Sequence, residues 1–352
     1  MWPRNAITER LNLKWPILQA PMGSLSSPTL AASVSNAGGL GGIGMWGFSA
    51  EDAERRIAGF RQQSGGGLNV NYPLWPKPKA TSGEIAAMRQ LLQPLYNAHG
   101  LGTVPEPNAG AGDVSADHLA MILRVKPDLV SFHFGLPAPE IVAAIKNAGI
   151  FITSSATTVA EARALERAGV DAVIAQGTEA GGHRATFTDV DISMQPGLFS
   201  LLPQVVDAVK IPVIAAGGVA DGRTAAAAMV LGASAVQIGT AFLRCEEANV
   251  LDAHRAALAE ADDAGTVVTD VITGRPARFI RNKLIDDLVA SGLKPLTFPL
   301  QLGVTKPLGE SGEREISSLY AGQSVRLATH TSAAELVESV GHEMLQRLRA
   351  FA

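Results

Sequence analysis

The residues best suited to chemistry are two histidines and a set of glycine turns. Gly177-Thr178-Glu179-Ala180-Gly181-Gly182-His183-Arg184 is a long, glycine-interrupted loop with a histidine at its tip. An imidazole there can accept a proton or hold an anion near neutral pH. His133 ends the run Asp128-Leu129-Val130-Ser131-Phe132-His133. Strand alternation puts Ser131 and His133 on one face with Val130, Phe132 and Phe134 on the other, and sets Asn69 and Asn71 opposite Leu68 and Val70. Ala216-Gly217-Gly218-Val219 and Gln237-Ile238-Gly239-Thr240 offer bare backbone N–H groups, the donor set that binds a phosphate when no side chain blocks the oxygens.

Other candidates read as structure. Gly39-Leu40-Gly41-Gly42-Ile43-Gly44 matches GxGxxG, but Phe60 to Ser64 (FRQQS) supplies no acidic residue where a dinucleotide site needs one. It reads as a glycine-rich strand. Cys245 is the single cysteine, which excludes an intrachain disulfide and any multi-cysteine metal centre. His99, His118, His254, His330 and His342 fall in helical or connecting segments and read as structural or solvated. No serine nucleophile elbow, P-loop, HExxH or EF-hand loop occurs, and no metal site is expected.

The elements that must position these groups follow from the apolar runs. Residues 16–20, 39–44, 67–71, 128–133, 150–154, 171–176, 211–216 and 233–238 make eight, separated by amphipathic segments. That count predicts an α/β fold, a (β/α)8 TIM barrel of parallel strands inside a ring of helices. Helices are expected over 161–168 and 223–231, with Gly169 and Gly232 as their stops. Gln19 to Met22, Asn69, Asn71, His133, Gln176 to His183, Gly217, Gly218, Gly239 and Thr240 all fall at carboxyl ends of strands, the rim where such barrels carry their sites. The polar set should face the barrel interior, with His133 on a rigid strand and His183 on a flexible loop. After Cys245 the composition changes: 246–261 reads as a helix, and 267–283 carries threonines and arginines. The expected division is a barrel over 1–245 plus 326–352 and a smaller, mostly helical covering domain over 246–325. Residues 332–351 repeat apolar positions at helical spacing and are assigned to the barrel as its late eighth helix.

Composition limits the partners. The chain has 352 residues, 47% hydrophobic and 18% charged, with 29 basic against 33 acidic residues and a net charge of −4. A nucleic-acid partner is not expected from that balance. The uncharged stretch Thr224 to Leu243 is broken by Gly232, Ser234, Gln237, Gly239 and Thr240 and reads as a buried helix followed by a strand rather than a membrane span. The first residues carry charges at Arg4, Glu9, Arg10 and Lys14 with no apolar h-region, so a cytoplasmic protein is expected. Oligomeric state is not legible.

Taken together, residues 16–22 (PILQAPM), 131–137 (SFHFGLP), 175–184 (AQGTEAGGHR), 215–219 (AAGGV), 238–242 (IGTAF) and 320–323 (YAGQ) resemble the class I nitronate monooxygenases, formerly called 2-nitropropane dioxygenases, over nearly the whole chain. The resemblance implies an FMN-binding barrel with a smaller, mostly helical domain. It implies that Ala20, Pro21, Met22, Asn69, Gln176, Gly181, Gly217, Gly218, Gln237, Ile238, Gly239 and Thr240 surround FMN, with residues 217, 218 and 237–240 at its phosphate. It puts His183 at the substrate as the catalytic histidine, with His133 beside it. The implied chemistry is oxidation of alkyl nitronates, propionate 3-nitronate among them, by O2 to a carbonyl compound and nitrite. The competing reading is an FMN-dependent NAD(P)H oxidoreductase of the same barrel superfamily, an NADH:quinone or enoyl-acyl-carrier-protein reductase. A non-enzymatic flavin-binding protein is a further alternative, against which the two histidines on one rim argue. One departure is Ala185, where family members usually have glycine.

Overall fold

The computed structural model describes residues 2–329 and 331–350; His330, expected to be structural or solvated, and Phe351, in the expected terminal helical segment, lie outside the described residues. All eight expected strands form: β1 (Ile17–Gln19), β2 (Gly41–Gly44), β3 (Leu68–Pro73), β4 (Leu129–His133), β5 (Phe151–Ala156), β6 (Ala172–Gln176), β8 (Val213–Ala216) and β9 (Ala235–Ile238). Every neighbouring pair is parallel, in the order β1-β9-β8-β6-β5-β4-β3-β2. The Leu18–Leu40 bridge joins the two ends, with Gln19 N donating to Leu40 O and Leu40 N to Ile17 O at 2.9 Å each, so the sheet closes into a (β/α)8 barrel. β7 (Gly182–His183) lies outside the ring and pairs with β11 (Ala277–Ile280), which pairs in turn with β10 (Thr266–Thr269).

Residue type on each strand explains which way it faces. Ile43, Val70, Val130, Ile152, Val173, Val213 and Val236 join the large core beneath the outer helices, where burial of each side chain contributes about 2 kcal/mol. Leu18, Leu40, Leu129, Phe151, Ile174, Ile214 and Ala235 form an inner plug sealed below by Ile7 and Leu11. That plug fills only the lower barrel. Above it the inward positions are Asn69, Ser131, Thr153 and Gln237. The literal GxGxxG is barrel strand: a Cβ on Gly41 would stand 2.1 Å from Ala31 O, and one on Gly44 2.7 Å from Gly23 Cα.

Helices Val159–Arg167 and Gly222–Val230 match their expected spans, opened by Thr158 and Asp221 caps. The terminal helix Ala333–Ala350 packs on Gly222–Val230 and Pro28–Asn36, the place of the late eighth helix. The expected helix over 246–261 is shorter, Asp252–Glu260, because the Glu247 carboxylate and Glu246 N–H are tied to Ala333 N and Thr331 O and hold the preceding residues in a turn. A second hydrophobic cluster joins Met88, Leu92 and Tyr96 of helix Ser82–Ala98 to Phe279, Ile285, Val304 and Leu308. The covering layer therefore draws on the long β3-to-β4 connection as well as on residues after 246. No helix among the described residues is long and apolar enough to cross a membrane.

Candidate active site

His133 and His183 meet at the rim. The His133 Nε2 lies 3.2 Å from the His183 carbonyl oxygen, which also accepts from Gln176 Nε2 at 3.1 Å. A carbonyl only accepts, so His133 carries its proton on Nε2. The His183 Nε2 lies 3.0 Å from Thr273 Oγ1, and that hydroxyl gives its one proton to Arg275 O at 2.9 Å. His183 must therefore donate from Nε2 as well, which leaves Nδ1 as its acceptor.

The loop expected to be flexible is pinned. Arg184 is fully buried and donates to Gln195 Oε1, Gly177 O and Gln176 O at 2.9, 2.7 and 3.0 Å. Arg278 donates to Thr178 O, and Glu179 accepts from Leu198 N. His183 itself pairs with Ala277 in β7 rather than projecting from a free tip. Ala185 is buried without a left-handed backbone, and its N–H donates to Gln176 Oε1 at 2.9 Å, so alanine fits this position without strain.

Burial pushes the His133 imidazole down to about 4 and the His183 imidazole down to about 3; the Arg275 charge pushes both the same way, and His133 also opposes a charge on His183. Both rings are neutral at pH 7. Unfolded histidines near 6.5 take up protons that the folded ones refuse, so the pair contributes stability above about pH 6.5 that is lost as pH falls toward 3. Thermal melts from about pH 7 to about pH 4 should show the native protein losing stability more steeply than a His133→Asn/His183→Asn double variant, by up to two protons of linkage. Parallel curves would contradict this charge state.

Aromatic rings wall the imidazole. Phe298, Tyr320, Phe134 and Trp46 lie 5.2, 5.8, 5.9 and 6.4 Å from it, and Trp75 packs on Trp46 and Phe298. Sequence reading missed Trp46, Trp75, Thr273, Arg275 and Phe298. The rim rule could have found Trp46 and Trp75, which follow β2 and β3. Of the other histidines, buried His254 holds Tyr320 O at 2.9 Å, His99 meets Glu313, His342 meets Glu338 and His118 meets Ser115.

The remaining sequence candidates line the same rim. Asn69 presents both amide atoms, Gln237 its Oε1 and Thr153 its Oγ1 to the upper barrel, all buried and without a hydrogen-bond partner among the described residues. Orphaned polar groups cost about 1–3 kcal/mol each unless something pairs with them. The N–H groups of Gly217, Gly218, Gly239 and Thr240 donate to no protein acceptor among the described residues. Gly217 and Gly218 hold φ of +97° and +72°, and a Cβ on Gly218 or Gly239 would meet nothing closer than 3.6 or 3.5 Å. A polar ring system over Asn69 and Gln237 with a phosphate at the two turns fits this donor set. Ala20 and Met22 border Gly239, while Pro21 packs near Gly42. Gly181 is held tightly against Ala321. Ile238 turns its side chain into the outer core and its carbonyl to Ala20 N, and Thr240 Oγ1 accepts from Gly322 N.

Known proteins agree with this geometry. The family model "Nitronate monooxygenase" matches residues 4–343. A probable nitronate monooxygenase of Staphylococcus aureus is 37% identical over 351 residues, 98% of this chain and 99% of that one. The structure of nitroalkane oxidase from Streptomyces ansochromogenes superposes with a TM-score of 0.91 at 37% identity, covering 99% of this chain and 100% of that one. FabK from Thermotoga maritima follows at 0.77 and 29%, with full coverage of both chains. The chain belongs to the nitronate monooxygenase family of flavin-dependent oxidoreductases.

Proposed function

We propose that the chain binds FMN non-covalently across the rim and oxidises alkyl nitronates of the propionate 3-nitronate type with O2, giving a carbonyl compound and nitrite. The observation that carries this reading is the state of His183: its ring is walled by Phe298, Phe134 and Trp46, donates from Nε2 to Thr273 and, being buried, resists gaining a proton. Such a group is a poor base, and a nitronate, which arrives already deprotonated, needs none.

Bound FMN supplies the electron acceptor and the centre that reacts with O2. Asn69 and Gln237 would hydrogen-bond its ring system in this reading, Gly217, Gly218, Gly239 and Thr240 would hold its phosphate through backbone N–H groups, and Ala20, Pro21, Met22, Gln176 and Gly181 would shape the surrounding wall; Ile238, expected beside the cofactor, turns its side chain into the outer core and takes part only through its backbone. His183, fixed by Thr273, keeps Nδ1 available to the substrate, and His133 sets the position of the His183 backbone. Trp46, Phe134 and Phe298 exclude water around the reacting atoms.

A second reading takes a neutral nitroalkane as substrate, favoured by the name of the Streptomyces ansochromogenes structure. His183 Nδ1 would then have to remove a proton, against the burial and charge that lower its affinity. The test of the proposal is nitrite release from a preformed nitronate and O2 with no pyridine nucleotide present. Steady release is expected; turnover only with NADH and a quinone would move the chain to the NAD(P)H oxidoreductase reading.

A further inference from the structure

Among the described residues, Arg275 is a cation without a matching anion. Its guanidinium stacks 3.8 Å from the Phe134 ring centre and donates to Thr186 O, while its Nε is buried with no partner. The field of Glu161 reaches it, but that carboxylate is already engaged by Thr157 N and Oγ1, Thr186 Oγ1, Phe187 N and Thr188 N and Oγ1. Burial pulls the guanidinium down to about 10, so it stays charged at neutral pH. Phe134, which holds Arg275, sits at φ +70° on the turn after β4, a conformation that costs a non-glycine residue about 1 kcal/mol or more.

Arg275 also lines a groove of about 650 Å³ whose walls include Trp75, Phe134, Leu136, Phe187 and Ile192. Asp113 lines it too, with its carboxylate accepting from Val114 N at 2.7 Å. The groove adjoins the reaction pocket, because Phe134 stands between the two, 3.8 Å from Arg275 and 5.9 Å from the His183 ring.

We propose that this groove is a subsite for the second, carboxylate end of the substrate, with Arg275 as its anchor. The claim rests on the reading that the nitronate end meets His183. The aromatic and aliphatic walls take the methylenes, and the guanidinium pairs with the far carboxylate, so that Arg275 selects acidic nitronates over neutral-chain ones.

Succinate is a non-reacting probe in which one carboxylate stands for the planar nitronate; butyrate lacks the second charge. The holoenzyme should bind succinate about 10- to 100-fold more tightly than butyrate, and Arg275→Met should erase that difference while leaving butyrate binding unchanged. In kinetics, kcat/KM for propionate 3-nitronate should fall by a similar factor through KM, with 1-propyl nitronate altered less than about threefold. Arg275→Lys, which keeps the charge without the fork, should recover part of the loss. Equal weakening of both probes, or of neither, would overturn the proposal. If Arg275→Met does not fold, succinate against its monomethyl ester on the native enzyme decides: equal affinity overturns the anchor. Absence of nitronate turnover in the native enzyme would instead defeat the functional reading, and the succinate and butyrate contrast would still judge the subsite.

Discussion

Gly239→Val is expected to give a folded but colourless protein. Gly239 has φ −113° and ψ −75°, outside the left-handed region, and a Cβ there would meet only Ala20 Cβ at 3.5 Å and Met22 Sδ at 3.9 Å. The protein itself therefore has room for the added Cβ. The proposed phosphate does not, because the branch enters the space before the N–H groups of Gly239 and Thr240. Gly218→Ala should act alike at an additional cost of about 1–2 kcal/mol, since its φ is +72° while its Cβ would meet only Glu179 at 3.6 Å. Gly217 is a poorer probe, because a Cβ would press on Ala180 N at 2.9 Å and disturb the fold. Absorbance of the purified variants and their melting temperatures separate the effects. Flavin content equal to that of the native protein in Gly239→Val would remove the phosphate assignment.

His183→Asn should leave flavin bound and divide the substrates. Asparagine can still donate toward Thr273 Oγ1, so β7 and its pairing with Ala277 should persist. The acceptor Nδ1 is lost. Any neutral nitroalkane that the native enzyme accepts should then lose about 10²- to 10⁴-fold in kcat/KM, the usual worth of a positioned base. Preformed nitronates, which need no proton removed and offer none to an acceptor, should change less than about threefold. His133→Asn should weaken both substrate forms alike, because His133 acts by fixing the His183 backbone at 3.2 Å. Equal losses on neutral and anionic substrates in His183→Asn would assign it to anion anchoring alone.

The barrel was legible because the strands are short apolar runs, several of them followed by a helix with its own cap and glycine stop, as in Phe151–Ala156 and Val159–Arg167. The rim was legible for the same reason, since unusual polar residues stand where strands end. Local pattern could not reveal what holds the His183 loop. Its glycines read as flexibility, yet Arg184 and Arg278 tie down its carbonyls from a distance in sequence of up to 100 residues. Thr273, Arg275 and Phe298 were missed because they reach the site from the covering layer, and nothing in strand periodicity says where that layer closes. The composition change after Cys245 was visible, but the sharing of its core with Met88 and Tyr96 is a tertiary fact.

The most direct test of the central claim is to mix the yellow protein anaerobically with propionate 3-nitronate and, separately, with NADH, and to follow the flavin absorbance. Rapid bleaching by the nitronate and none by NADH on that timescale is the predicted result. Bleaching by NADH, with the flavin left oxidised by the nitronate, would contradict it.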